Sequence, residues 1–280
     1  MGRFRYESIM HLAAITVYPL KSFTGQPVKQ ARVLPSGALE HDRRFALFDA
    51  DGRVWNAKRT PLVHRWRTWL SMEHRVLTLC EGEIVSGTLG SVPDTEHAWH
   101  LDREREALQA WFAERFGGPV RLDENAGVGF PDDLDSPGPT IVSTASLREV
   151  TRWFPGLTRD EVRQRFRANL EIDGVPAFWE DRLCRADGTL QPIRIGTVTF
   201  GGVNPCQRCA VPTRDPHSGD VLPGFQKTFA ERRAATLPTW AAPQVFNHYY
   251  RFTVNTQLIA GAGELISVGD AVELMEFSAS

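Results

Sequence analysis

Long apolar runs are missing from this 280-residue chain. No stretch approaches the roughly 20 apolar residues that cross a bilayer as a helix, which excludes a helical membrane span. A basic excess is missing as well. Lys and Arg number 32 against 34 Asp and Glu, a net charge of -2, whereas a protein that tracks nucleic-acid phosphates needs the opposite balance. Cysteine is scarce: 4 thiols in a chain of this length cannot staple a secreted disulfide scaffold. Residues 1–6 carry basic side chains but no apolar stretch of signal-peptide length, so the expected compartment is the cytoplasm. Internal repeats and low-complexity segments are absent too.

What is present supports a folded core. Hydrophobic residues make up 42% and charged residues 24%, enough for one large domain or two of ordinary size. The first half reads as short strands at 9–18, 28–34, 43–49, 69–72, 75–80 and 83–88, rich in β-branched and aromatic residues between Gly, Pro and Ser punctuation. Asp51-Gly52 is a hairpin signal joining 45–48 to 54–56. Strands at this spacing predict a small barrel or sandwich. A helix follows, with Asp102 as its expected N-cap, Leu108, Trp111, Phe112 and Phe116 at helical spacing, and Gly117-Gly118-Pro119 as its stop. Residues 123–139 hold five acidic residues, three glycines and three prolines, which predicts no regular element. The domain boundary is placed there, giving domains 1–124 and 125–280.

The second half mixes types. Helices are expected at 145–154 and, opened by a Thr158 to Glu161 capping box, through Arg167; a shorter one is expected at 225–233. Strands are expected at 169–172, 193–200, 249–258, 264–268 and 271–275. The fold class is therefore α+β and β-rich. Arg163 and Arg165 read as a solvated face, while Arg167, at a helix-to-strand junction, reads as pointing into a cleft.

Chemistry concentrates at 204–219. Cys206 and Cys209 form a C-x-x-C pair with Arg208 between them. A structural zinc site wants about four ligands, and only His217 stands nearby. A thioredoxin-like pair wants its first thiol at a helix N-terminus, against which Pro205, Pro212 and Pro216 argue for an irregular loop. Two readings stay open: a pair of buried small hydrophobes, or a thiolate bound to a metal that arrives in an organic cofactor, with Arg208 holding an anionic group on it. Cys80 and Cys184 read as packing residues.

The run from Arg208 to Gly219, RCAVPTRDPHSG, resembles the molybdenum-binding signature R-C-x-x-T-x-x-D-P-x-T/S-G of the molybdenum cofactor sulfurase C-terminal (MOSC) family. Pro212 stands where the first Thr is usual, with Thr213 following. Tyr18-Pro-Leu-Lys-Ser22 is similar to the family's opening Y-P-[VIL]-K-S, Asp42-Arg-Arg-Phe45 to its D-R-x-[WF], Phe166-Arg-Ala-Asn169 to its F-R-x-N, and Gly261 to Gly269-Asp270 to its closing G-x-[IL]-x-V-G-D. The matches run in family order across nearly the whole chain. The layout is similar to two-domain members related to amidoxime-reducing enzymes.

The resemblance implies an N-terminal small β-barrel-like domain followed by a MOSC β-barrel domain with flanking helices. It implies a molybdenum cofactor (Mo-pyranopterin, molybdopterin) with Cys209 as the protein ligand to molybdenum and Cys206 beside it. Lys21, Ser22, Arg43, Ser136, Arg167, Asn169, Gln207 and Arg208 are the expected cofactor-binding residues. Lys58-Arg59 is either a rim or an exposed turn. Asp215 is expected either to relay a proton or to cap its own turn. The implied reaction is oxygen-atom removal, R-NHOH plus two electrons and two protons giving R-NH2 and water, on a small N-hydroxylated substrate. No cysteine follows Cys209, so the expected electron donor is a separate ferredoxin-, flavodoxin- or cytochrome-type protein. The alternatives are a sulfur or cofactor carrier holding a persulfide, and a metal-free binding module. Neither nucleic acid nor membrane is an expected partner.

Overall fold

A computed structural model describes residues 10–81 and 97–276. The strand expected at 83–88 lies outside the described residues, as do residues 1–9. In chain order the elements are β1 (His11–Val17), β2 (Gln26–Val28), β3 (Gln30–Arg32), β4 (Phe45–Phe48), β5 (Trp66–Ser71), β6 (Val76–Glu81) and β7 (His97–His100). Helix α1 (Arg105–Phe116) and β8 (Arg121–Glu124) follow. Then come β9 (Ile141–Ser143), α2 (Thr144–Trp153), α3 (Arg159–Phe166), β10 (Leu170–Asp173), β11 (Gln191–Ile195) and β12 (Val198–Gln207). The chain finishes with α4 (Phe225–Ala235), β13 (Arg251–Ala260), β14 (Leu265–Ser267) and β15 (Val272–Leu274). The fold is α+β and β-rich, as expected.

Eight strands form the main sheet in the order β15-β11-β12-β13-β9-β10-β1-β2. Every neighbouring pair is antiparallel except β9 and β10. A bridge between His11 and Ala271, with Leu12 N–H donating to Asp270 O at 2.9 Å, brings β1 against the segment entering β15 and turns the sheet toward a barrel. Its interior is filled by Leu12, Ile15, Leu170, Ile172, Ile193, Ile195, Phe200 and Val254, all essentially inaccessible to solvent. Because β1 pairs with β10, one sheet joins residues from either side of the expected boundary at 124/125.

A second core lies under β4–β8 and the three-stranded sheet β5-β6-β7, where α1 contributes Leu108, Phe112 and Phe116. The third is aromatic: Phe166 of α3, Phe225 and Phe229 of α4 and Phe252 of β13 pack with ring centroids 4.6 to 6.4 Å apart. It fixes α3 and α4 against the sheet, and α3 carries part of the site described below. No helix among the described residues is long and apolar enough to cross a membrane.

Several expectations are corrected. Asp102 does not cap α1; Glu104 holds that position, and the Asp102 carboxylate is bound by Arg75 at 2.6 and 2.9 Å. Residues 123 and 124 are not irregular, because Asp123 and Glu124 extend β8 along β4. The run 193–200 is a hairpin rather than one strand: Gly196, at φ 56, turns β11 into β12 where alternation alone shows no break. The Asp51-Gly52 turn forms, with Gly52 at φ 75, but the return arm makes a single bridge, Phe48 to Val54, because residues 19–21 take the same edge of β4 at Phe45. The Thr158–Glu161 capping box is present on both sides.

Beneath α4 lies a buried charged cluster. Arg233 is 1% exposed, pairs with Asp181 and stacks 4.1 Å over the Phe178 ring. Glu180 beside it accepts from the Ser146 hydroxyl at 3.0 Å, and its other oxygen has no partner. Burial, reinforced by the Asp181 charge, pushes the Glu180 carboxyl up to about 7 from its ordinary 4.5. The fold therefore favours the protonated form: this contribution is complete below 4.5 and is lost as pH rises through about 7. Glu180→Gln should leave stability unchanged at about pH 5 and raise it at about pH 8, measured by urea unfolding. An equal effect at both pH values would contradict this.

Candidate functional site

β12 continues past Pro205 and Cys206 to Gln207, which pairs with Arg251 of β13. Cys209 lies two residues beyond the strand, half-buried, with its Sγ 3.5 Å from the Val211 N–H. A short 3-10 turn, Val211–Thr213, follows. At the next turn the Asp215 carboxylate accepts the N–H groups of His217 and Ser218, each at 2.8 Å. Gly219 is needed there. It sits at φ 80, and a Cβ would come within 2.8 Å of Pro61.

Two walls hold this loop. On one side, Arg165 of α3, 3% exposed, donates to Pro212 O at 3.2 Å and to Arg214 O. On the other, the 3-10 turn Pro61–Arg65 packs at Gly219, and Arg67 of β5 donates to Pro216 O at 2.8 Å. The thiol-bearing loop thus sits at the meeting of α3 with elements from the first half of the chain. Arg208 ties it to α3 again, donating to Phe166 O at 2.7 Å and to the Cys206 sulfur at 3.2 Å.

Cations gather beside it. Arg167 caps the C-terminus of α3 in the left-handed region, φ 55, which turns its side chain off the helix and over the Tyr18 ring, 4.2 Å from the centroid. Arg43, also at positive φ, stands 4.6 Å from the same ring. It pairs with Asp42 and donates to Asn169 Oδ1 at 3.0 Å. Lys21 points into the same region, donating to Phe130 O at 2.8 Å and pairing with Asp132 at 2.8 Å. The Arg167 guanidinium has no hydrogen-bond acceptor among the described residues. Burial, opposed by Tyr18 and reinforced by Arg43, pulls it down to about 10. Non-glycine residues at positive φ are uncommon and concentrate at functional sites; Ser22, Arg43 and Arg167 are three of the seven such residues described.

The expected site residues divide. Arg43, Arg167 and Asn169 come together around Tyr18, Lys21 pairs with Asp132 nearby with Ser22 on the turn after it, and Arg208 meets α3 at Phe166, one residue before Arg167, with Cys209 next to it in the chain. Gln207 is exposed at the strand end, one residue from Cys206. Ser136 is buried, and its hydroxyl makes no hydrogen bond to any of the others. Asp215 serves its turn. Burial would raise this carboxyl, but the Ser218 and His217 N–H groups and then Arg165 hold it below the usual range, which favours its carboxylate form. Lys58 and Arg59 are exposed, and Arg59 binds Asp49 of the preceding turn at 2.8 Å.

Arg165 is the correction. It is no solvated face: residues two apart on a helix point about 200° away from each other, so Arg163 and Arg165 cannot share a side. Val162, Arg165 and Phe166, spaced three and four apart, form the buried stripe, and the sequence carries that signal. His64, on the Pro61–Arg65 turn, has no such signal. Its Nε2 is buried without a partner. Tyr250, 3% exposed, likewise has an unpartnered hydroxyl near Cys209 and Arg208. Among the described residues no three of His, Cys, Asp and Glu converge to hold a bare metal ion. A metal bound at the Cys209 thiolate would have to bring its remaining donors with it.

Arg165→Met removes two donors from loop carbonyls, at a cost of about 1–3 kcal/mol. Hydrogen exchange should show faster opening of the amides of Gly219 and Leu222, with β12 retaining its protection. Uniform loss across both would mean that Arg165 supports the whole fold and not the loop.

Comparison with known proteins agrees with this layout. Residues 9–119 match the family model of the MOSC N-terminal beta barrel domain, and residues 139–273 match that of the MOSC domain. The chain is 25% identical over 237 residues to the molybdenum cofactor sulfurase of Arabidopsis thaliana, covering 71% of this chain and 28% of that protein. It is 26% identical over 260 residues to the mitochondrial amidoxime reducing component 2 of Homo sapiens, covering 78% and 71%, and shows the same identity to that of Macaca fascicularis over 258 residues. The chain spans less than a third of the length of the plant sulfurases it matches. With both family models matched in tandem and the cysteine loop held between their two regions, the chain belongs to the MOSC family.

Proposed function

We propose that this protein binds a molybdenum cofactor and reduces N-hydroxylated compounds such as amidoximes and hydroxylamines. The observation that carries the reading is the Arg167 guanidinium, which lacks an acceptor and sits with Arg43 and Lys21 beside a loop presenting a half-buried thiol. Arg167 is half-buried and no carboxylate among the described residues bonds it directly; positive charge drawn partly out of water is costly, and the phosphate of a pyranopterin would supply a direct partner. The unpartnered Tyr250 hydroxyl and Arg208 Nε support the same fit, since both are donors that a polar ligand would satisfy. Relatives whose names include molybdenum cofactor sulfurase and amidoxime reducing component point the same way.

In this reading the bound cofactor would supply two-electron redox chemistry, and the chain supplies position and charge. Cys209 anchors the metal through a thiolate, a soft and strongly donating ligand. Arg208, fixed by Phe166 O, holds the loop at a set distance from α3. Lys21, Arg43 and Arg167 grip the anionic tail, and Asn169, already bonded to Arg43, orients that arginine. The overall change is R-NHOH plus two electrons and two protons to R-NH2 and water. A separate protein delivers the electrons, and the compartment is the cytoplasm.

A persulfide carrier is the second reading, favoured by Arg208 donating to the Cys206 sulfur. Mass spectrometry separates the two: a carrier shows one added sulfur on Cys206 or Cys209 and little retained metal.

Protein made in a cofactor-proficient host should contain molybdenum and reduce benzamidoxime with a chemical electron donor. Cys209→Ala should abolish both, and Arg167→Leu should weaken cofactor retention roughly 10–100-fold. Full molybdenum content and activity in Cys209→Ala would remove the ligand assignment.

A further inference from the structure

The cradle of Lys21, Arg43 and Arg167 does not account for His64. This residue lies on the Pro61–Arg65 turn, the segment packed against the cysteine loop at Gly219. Its Nε2 is buried and unpartnered. Arg214, on the loop, donates through one terminal nitrogen to Gly219 O at 2.9 Å, while its Nε is buried with no acceptor. Arg167 presents its unmatched guanidinium from the end of α3. Three polar groups from three separate segments therefore lack hydrogen-bond partners among the described residues, and two of them, His64 and Arg214, meet at Gly219.

The charges that act most on His64 are Arg167, Arg214 and Arg67, opposed by Asp215. Asp215 is already committed to two backbone N–H groups, with its second oxygen 3.7 Å from Arg165. Arg67 is bound to Pro216 O and to the His217 ring. A cationic ligand would be repelled here, and an apolar one would leave every donor unmet. We propose that His64 Nε2, Arg214 Nε and the Arg167 guanidinium form an oxyanion subsite, with His64 in its Nε2-protonated tautomer as the neutral donor.

The oxyanion has two sources: the phosphate of the cofactor, or a carboxylate or similar group on the N-hydroxylated substrate. The substrate source rests on the function proposed above; the subsite itself does not. Burial, then the three arginines, pull His64 down to about 4, so it is neutral in the anion-free protein. An anion reverses that field and raises the proton affinity of the ring.

The test uses protein from a host that makes no molybdenum cofactor, with His64 followed by nuclear magnetic resonance during titration with inorganic phosphate or with acetate. The expected result is a saturable change in the His64 signal and a rise of at least about one pH unit in its midpoint. His64→Leu should weaken phosphate binding roughly tenfold by calorimetry. If that variant does not fold, the wild-type titration decides alone. A His64 midpoint unmoved by saturating phosphate and acetate overturns the subsite.

Cofactor-loaded protein then separates the sources. A midpoint already raised, with no response to acetate, assigns the subsite to the cofactor phosphate. A retained response to acetate, with a lower KM for a carboxylate-bearing amidoxime than for its methyl ester, assigns it to the substrate. Failure of the protein to hold molybdenum would end the function proposed above while leaving the anion titration as it stands.

Discussion

An excess of positive charge at one junction, Arg167, Arg43 and Lys21 against Asp42 and Asp132, is the constraint on which this structure turns. Arg167 and Arg43 flank one tyrosine ring at 4.2 and 4.6 Å, close enough to repel each other. An isolated chain segment would relax such a pair into water. Here Arg167 is fixed by a left-handed helix cap and Arg43 by Asp42 and Asn169, and the pairing of β1 with β10 brings Tyr18 between them. The energy that holds them comes from the cores on either side. The barrel interior, the aromatic cluster under α3 and α4, and the packing beneath α1 make the arrangement affordable.

The cysteine loop follows the same logic. It contains Pro205, Pro212 and Pro216 and has little regular structure, so its backbone carbonyls need outside donors. Arg165 supplies them from α3 and Arg67 from β5. Asp215 closes the turn from within through the His217 and Ser218 N–H groups, which gives this acidic residue a structural role. The loop is rigid where it is gripped and open at Cys209, the combination a ligand-bearing thiol requires.

Much of this was legible in the residues. The capping box, the strand-rich halves, the apolar stripe of α1 and the family-like motifs each point to elements that form. The motifs matter for the site because Lys21, Arg43, Arg167 and Cys209 are far apart in the chain, and no local pattern brings them together. What was missed has physical causes. The strand 193–200 hides a hairpin because Thr197 and Val198 continue its alternation through Gly196. Arg165 was assigned to water by its charge, although its spacing from Val162 places it on the buried side. His64 could not be read at all, since its meaning comes from Arg167 and Arg214, brought to it by other segments, together with Arg67 three residues away.

The central claim is a bond between the Cys209 sulfur and a cofactor-held molybdenum. X-ray absorption at the molybdenum edge measures it most directly, by comparing wild type with Cys209→Ser reconstituted under the same conditions. The account predicts one fewer sulfur neighbour around the metal in the variant. An identical sulfur shell in both proteins would contradict it.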